Sequence, residues 1–149
     1  MSPEPKLLVV DASAVLKWQL DDEEYVPQAI ALRDDFYALG AVKAIAPHLL
    51  IYEVINGILT ATRRKRLASD KALEAMTNLL ELGVELKQVG AERVLELALA
   101  YNLSAYDAAY LALAEREGCE LWTGDRPFYQ AVKGELPQVK WIGDYISAG

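Results

Sequence analysis

Residues 7–15 read Leu7-Leu8-Val9-Val10-Asp11-Ala12-Ser13-Ala14-Val15, or LLVVDASAV. Four apolar residues in a row, bounded by a polar one, have the pattern of a strand buried on both faces. The charge stands where that strand must stop. Asp11 or Ser13 can serve there as a helix cap, accepting hydrogen bonds from the first free N–H groups of the next segment. Capping explains one such carboxylate. Whether it explains the others depends on where they fall.

Outward from this stretch, short apolar runs alternate with longer helical patterns. Strands are expected over 7–10, 44–46, 84–87, 120–122 and 139–142. Helices are expected over 12–19, 26–39, 47–65, 70–82, 91–101, 105–117 and 127–133. Pro47 suits a first helical turn, Ser69 a cap, and Gly83 and Gly118 the points where helices give way to strands. Such alternation predicts one α/β domain over 1–149, with a largely parallel sheet and helices on both faces. Ligands of these sheets bind beyond the carboxyl ends of the strands, where Asp11 and Asp125 would both lie.

The chain has 149 residues, 53% hydrophobic and 25% charged, a composition of soluble globular proteins. No apolar run reaches the length of a membrane span, and MSPEPK lacks the charged and apolar regions of a signal peptide. The single Cys119 forms no internal disulfide, which fits a reducing cytoplasm. The single histidine, His48, is read as structural, so neither a multi-ligand zinc cage nor a Ser-His-Asp triad finds support. A net charge of −7 argues against broad electrostatic attraction to nucleic acid. It leaves room for a local acidic site that recruits a hard cation such as Mg²⁺ or Mn²⁺.

Four acidic residues fall at informative places: Asp11; Glu53 in PHLLIYEVINGIL (47–59); Asp107 in LSAYDAAYLALA (103–114); and Asp125 in ELWTGDRPF (120–128). Each has a local explanation. Ser104 and Asp107 match a capping box, Asp125 can cap a helix entered through Pro127, and Glu53 shares a polar stripe with Asn56 and Thr60. Taken together, two acids end parallel strands and two lie in first turns of helices that can face the same edge. Unit charges ~4 Å apart repel by roughly 4 kcal/mol at an effective dielectric of 20. A cation gives that arrangement a reason.

The ordered set VVDASAV, YEVINGIL, LSAYDAAYLALA and LWTGDRPF resembles PIN-domain ribonucleases, and most closely the VapC toxins of prokaryotic toxin–antitoxin pairs. The resemblance spans nearly the whole chain. It implies a three-layer α/β/α fold with a central parallel sheet in the order 3-2-1-4-5. It implies a metal-dependent endoribonuclease that uses Mg²⁺ or Mn²⁺ and leaves a 5′-phosphate and a 3′-hydroxyl. Asp11, Glu53, Asp107 and Asp125 become the catalytic and metal-binding quartet, with Asp11 and Asp107 the foremost ligands. Ser13, Asn56 and Thr123 become supporting polar residues. A cognate antitoxin, a homodimer and a cytoplasmic location are implied as well, without a membrane. An antitoxin segment would occupy a groove near the first two helices, where Trp18, Tyr25, Phe36 and Tyr37 lie, most of them expected in the core.

With no suitable histidine, Glu53 or Asp125 is the group expected to position the attacking water. The run Arg63, Arg64, Lys65 and Arg66 is the candidate RNA contact, or else a solvated helix end that complements the macrodipole. Two rivals stay open. A haloacid-dehalogenase-like phosphatase expects a second Asp two residues after the first, where Ser13 stands. A catalytically silent PIN-like binding module commonly lacks one or more acids, whereas this chain keeps four.

Overall fold

The structure, a computed structural model, describes residues 4–148. Its central strand is β1 (Lys6–Val10), where Leu8, Val9 and Val10 are at most 1% exposed. A strand with no solvated side must be paired on both edges, and β1 is. Val9 is in register with Ile45 of β2 (Val42–Pro47) on one side and with Leu121 of β4 (Glu120–Thr123) on the other. Strands β3 (Glu85–Lys87) and β5 (Val139–Trp141) complete the sheet. The order is β3-β2-β1-β4-β5, and every adjacent pair is parallel. Sheet type and strand order are those the resemblance implies.

Among the described residues seven α-helices flank it: α1 (Ala12–Leu16), α2 (Val26–Arg33), α3 (Leu50–Arg63), α4 (Ser69–Glu81), α5 (Ala91–Tyr101), α6 (Ala105–Glu117) and α7 (Arg126–Val132). Helix α6 is the buried one. Its residues from Ala108 to Ala114 are all in the core, because β1, β2 and β4 cover one side and α5 the other. Alanines at four of those seven positions permit this close approach. Gly118 ends α6 in the left-handed conformation (φ +62°) that a Cβ would disfavour, and turns the chain into β4.

Parallel strands put all their carboxyl ends at one edge, and the helices then follow from connectivity. Helix α3 leaves the end of β2, so its first turn lies at that edge. Helix α6 feeds the start of β4, so its N-terminus lies there too. Gly57 on α3 faces Leu16 of α1 with no room for a Cβ, which lets α3 settle onto α1 one turn beyond Glu53.

Several boundaries differ from the sequence reading. The first helix stops at Leu16 rather than 19, and the span 26–39 changes to a π-helical turn at Asp34–Ala38. Pro47 ends β2 instead of opening α3, which starts at Leu50. β2 is an interior strand, but Pro47 is its last residue, beyond the register with β1, where a missing N–H does little harm to the ladder. Ser69 is the first residue of α4, whose N-cap, Ala68, offers no side-chain hydrogen bond. No helix of the described residues is long and apolar enough to cross a membrane.

The π-helical turn carries a fully buried carboxylate, Asp35. Its oxygens accept from the Tyr145 hydroxyl (2.7 Å), the Ser147 hydroxyl (3.0 Å) and the Ala148 N–H (2.8 Å). Burial alone would raise its pKa. The three hydrogen bonds, Ala148's foremost, outweigh that and hold the carboxyl below its ordinary value. The C-terminal segment is thereby clasped to the end of α2.

Candidate active site

Asp11 is the N-cap of α1, as its sequence position suggests, and only 5% exposed. Its Oδ1 accepts from the Ala14 N–H (3.1 Å) and the Ser13 hydroxyl (2.5 Å), and its Oδ2 accepts from the Thr123 hydroxyl. Thr123 lies at the end of β4, the strand beside β1, and is itself fully buried. The β4–α7 loop is tied in by its backbone. The Gly124 N–H donates to Ser13 Oγ (2.8 Å), and the Asp125 N–H donates to Thr123 Oγ1 (3.0 Å). Despite these donors, burial pushes the Asp11 carboxyl up to about 6, and the charge of Asp125 adds to that.

The other three acids stand in the same field. Asp107, in the first turn of α6, is pushed up to about 6, by burial first and then by the charges of Asp125 and Asp11. Glu53, in the first turn of α3, is raised by burial, with Asp107 and Asp125 adding to it. Asp125 caps α7 through a hydrogen bond from the Phe128 N–H to its Oδ1 (3.1 Å). Ser104 caps α6 by accepting from the Asp107 N–H (3.1 Å). The capping readings therefore hold for Asp11 and Asp125, and for Ser104. They do not exhaust the arrangement, because no cap needs Asp11, Glu53 and Asp107 each raised by burial and by the charge of Asp125. No lysine, arginine or histidine is among the groups that shift Asp11, Glu53 or Asp107.

The PIN domain family profile matches residues 8–134. Ribonuclease VapC3 of Pyrobaculum aerophilum is 35% identical over 125 residues, covering 80% of this chain and 89% of its own. Ribonuclease VapC9 of Mycobacterium tuberculosis is 36% identical over 133 residues, covering 88% and 95%. The chain is a PIN domain of the VapC ribonuclease family. Among solved structures, PAE2754 from Pyrobaculum aerophilum has a TM-score of 0.67 at 26% identity, covering 92% of this chain and 84% of that one.

In this PIN domain the supporting residues divide. Ser13 and Thr123 hold Asp11, whereas Asn56 is exposed on α3 and its side chain makes no hydrogen bond among the described residues. His48 is exposed in the turn between β2 and α3. Arg63, Arg64 and Lys65 are exposed at the end of α3 and form no ion pair among the described residues. Arg66 is different: it grips Asp22 in a bidentate pair (2.7 and 2.9 Å) and reaches Glu23 (2.7 Å).

Tyr110 was not foreseen. It sits three residues after Asp107 on α6, and its buried hydroxyl has no hydrogen-bond partner of normal geometry. Burial and then the charge of Glu53 drive the phenol far above its ordinary value. The i, i+3 spacing from Asp107 was the available signal, hidden within an alanine-rich run that reads as core.

Among the described residues no three His, Cys, Asp or Glu side chains are drawn together tightly enough to cage a metal. The donor set nonetheless fits a hard divalent cation. It offers carboxylate oxygens that stand in one another's field without a protein cation to offset them, and the Tyr110 hydroxyl lies against Glu53.

Proposed function

We propose that this chain is a single-domain, metal-dependent endoribonuclease that acts as the toxin of a toxin–antitoxin pair. The observation that carries the reading is the group of four carboxylates, from β1, α3, α6 and the β4–α7 loop, lying in one another's field without a protein cation. Asp11 and Asp107 would hold Mg²⁺ or Mn²⁺, with Glu53 and Asp125 completing the set. Such an ion supplies positive charge that offsets the charge developing on the phosphate and makes water a better nucleophile at neutral pH.

The chain's own groups have separate tasks in this scheme. Ser13 and Thr123 fix the orientation of the Asp11 carboxylate, so a bound ion would meet it already positioned. Glu53, half-buried and raised, is matched to accept a proton from water attacking the phosphodiester. Asp125 has one oxygen committed to capping α7. Ser13 stands where a haloacid-dehalogenase-like phosphatase needs a second Asp, and it donates to Asp11 rather than acting as an acid. All four acids present argues against a silent module.

Partners follow from exposed apolar surface. Trp18 is buried and donates its indole N–H to the Ala29 carbonyl, and Tyr25 and Phe36 are half-buried, whereas Tyr37 is 64% exposed. An apolar cleft of about 240 Å³ framed by Val15, Val54, Met76 and Leu79 is the candidate seat for an antitoxin segment. Exposed Leu95 and Leu99, one turn apart on α5, are the candidate homodimer contact. The half-buried, unpaired Cys119 supports action in the cytoplasm.

The test is cleavage of a structured RNA by antitoxin-free protein with Mn²⁺ or Mg²⁺. Cleavage should vanish in EDTA and fall by at least ~10² in Asp11→Ala. Cleavage that survives both would remove the acidic site from the mechanism.

A further inference from the structure

Between the end of α1 and the start of α7 lies a cleft of about 230 Å³ whose one charged lining residue in the buried class is Lys17. Lys17 is 6% exposed, yet it makes no ion pair or hydrogen bond through its ammonium group among the described residues. The covered part is the aliphatic stem, while the ammonium keeps access to the cleft and has no carboxylate within ion-pair distance among the described residues. Glu23 and Glu24 also border the cleft and leave Lys17 alone. Glu23 is engaged by Arg66 (2.7 Å) and Glu24 by Arg126 (3.6 Å).

Gly124 explains how the lysine gets there. A Cβ at this position would lie 2.7 Å from Lys17 Cε and 3.4 Å from Ser13 Oγ. The absent side chain lets the lysine stem rest on the peptide whose N–H donates to the Ser13 hydroxyl, which in turn donates to Asp11. Gly124 and Arg126, both lining the cleft, flank Asp125 in the chain, and Gly124 meets the Ser13 hydroxyl that donates to Asp11. Its outer wall is rigid and aromatic. Tyr25 and Trp141 meet edge to face (5.5 Å), Arg126 lies over the Trp141 ring (5.1 Å), and Tyr25 adopts φ +60°, a left-handed conformation uncommon for a bulky residue. Strain of this kind collects at ligand-binding sites.

We propose that the Lys17 cleft is a phosphate subsite, taking the RNA phosphodiester adjacent to the one held at the four acids. The inference rests on the ribonuclease reading and deepens it. An anion is the partner that an unpaired ammonium opening into a cleft can take, and a strand lying across the acidic site would bring its neighbouring phosphate to this wall. In a chain of net charge −7, Lys17 supplies locally the attraction that the whole surface does not. Lys17 is a positioning residue and takes no part in bond making.

The experiment compares wild-type protein, Lys17→Met and Lys17→Arg on a short single-stranded oligoribonucleotide. Binding is measured in EDTA, where the RNA is not cut, across a range of salt; kcat and KM are measured in Mn²⁺. Lys17→Met should weaken binding about tenfold, the loss of one charge-assisted contact. It should lower the salt slope by about 0.7, the value for one phosphate on a single strand. KM should rise with kcat little changed, and Lys17→Arg should restore much of the affinity. Oligonucleotides with one uncharged methylphosphonate linkage, scanned along the strand, give a reading on wild-type protein that no folding defect can obscure. One linkage next to the cleaved one should cost about the same tenfold.

Wild-type protein that cuts RNA through Asp11 while Lys17→Met keeps normal affinity and salt slope would overturn the subsite and leave the ribonuclease reading standing. A scan without a sensitive neighbouring linkage would do the same. Wild-type protein that neither binds nor cuts RNA would overturn both.

Discussion

Thr123 and Asp11 are 112 residues apart in sequence and joined by a hydrogen bond from the Thr123 hydroxyl to Asp11 Oδ2, with both residues buried. The bond crosses from β4 to the end of β1. It couples the integrity of the sheet to the orientation of the one acid with the deepest position in the site.

Thr123→Val keeps the shape and removes the donor. A buried acceptor left without its partner costs about 1–3 kcal/mol. For a chain of this size that lowers the melting temperature by roughly 2–4 °C per kcal/mol. Thr123→Ser should recover most of the loss. Thermal melts of both variants measure it directly, and an unchanged melt for the valine variant would mean that this hydrogen bond contributes little.

Divalent metal should stabilise the fold. At a hundred times its dissociation constant a ligand adds about 2.7 kcal/mol, or roughly 5–10 °C here. Asp107→Asn should raise the melting temperature without metal, because burial and the charges of Asp125 and Asp11 press on that carboxyl. The same change should shrink the shift that Mn²⁺ produces. Paired melts with Mn²⁺ and with EDTA separate the two effects.

Asp35 sets an acid limit on stability. Its folded pKa lies below the ordinary 3.8, so the unfolded chain binds the proton more readily. The stabilisation is therefore fully present above pH 4 and drains away as pH falls from there toward the folded pKa. Asp35→Asn, which keeps the size but not the charge, should cost about 2–3 kcal/mol at neutral pH. It should also flatten the stability profile below pH 4, as denaturant titrations at several pH values would show.

The basic run at the end of α3 should behave unevenly. Arg64→Ala should weaken RNA binding and reduce its salt slope by about 0.7. Arg66→Ala should leave RNA affinity nearly unchanged, because its guanidinium is held by Asp22 and Glu23. Loss of that exposed pair should alter stability by no more than about 1 kcal/mol. Equal effects of the two variants on RNA would mean that Arg66 leaves its carboxylates for phosphate.

What was legible in the sequence is what local pattern controls. The apolar run of β1, the alanine-rich α6 and the glycine at 118 each state their own conformation, and strand order followed from the resemblance. The four acids were visible because a charge at the end of a buried strand, or within an apolar helix, breaks a period. Boundaries were less visible. Pro47 fits a helix start and a strand end equally well, and only the sheet decides between them. Lys17 carries no local signal in the sequence; the room for its stem comes from Gly124, on a loop far along the chain. Asp35 had no local signal, since all three of its partners lie beyond residue 144. Arg66 read as free because Asp22 and Glu23 belong to a different segment.

The Asp35 clasp also imposes a timetable on synthesis. The ribosome makes Asp35 113 residues before Ala148, the donor that completes its set of hydrogen bonds. At ordinary elongation rates the interval is on the order of 10 s. Throughout it, a carboxylate destined for the interior must stay hydrated, and the end of α2 must stay open to water. A nascent chain halted between residues 126 and 144 already carries Asp11, Glu53, Asp107 and Asp125 but none of the three groups that hold Asp35. The four acids are thus written out before the latch, and closure around Asp35 waits on residues 145–148.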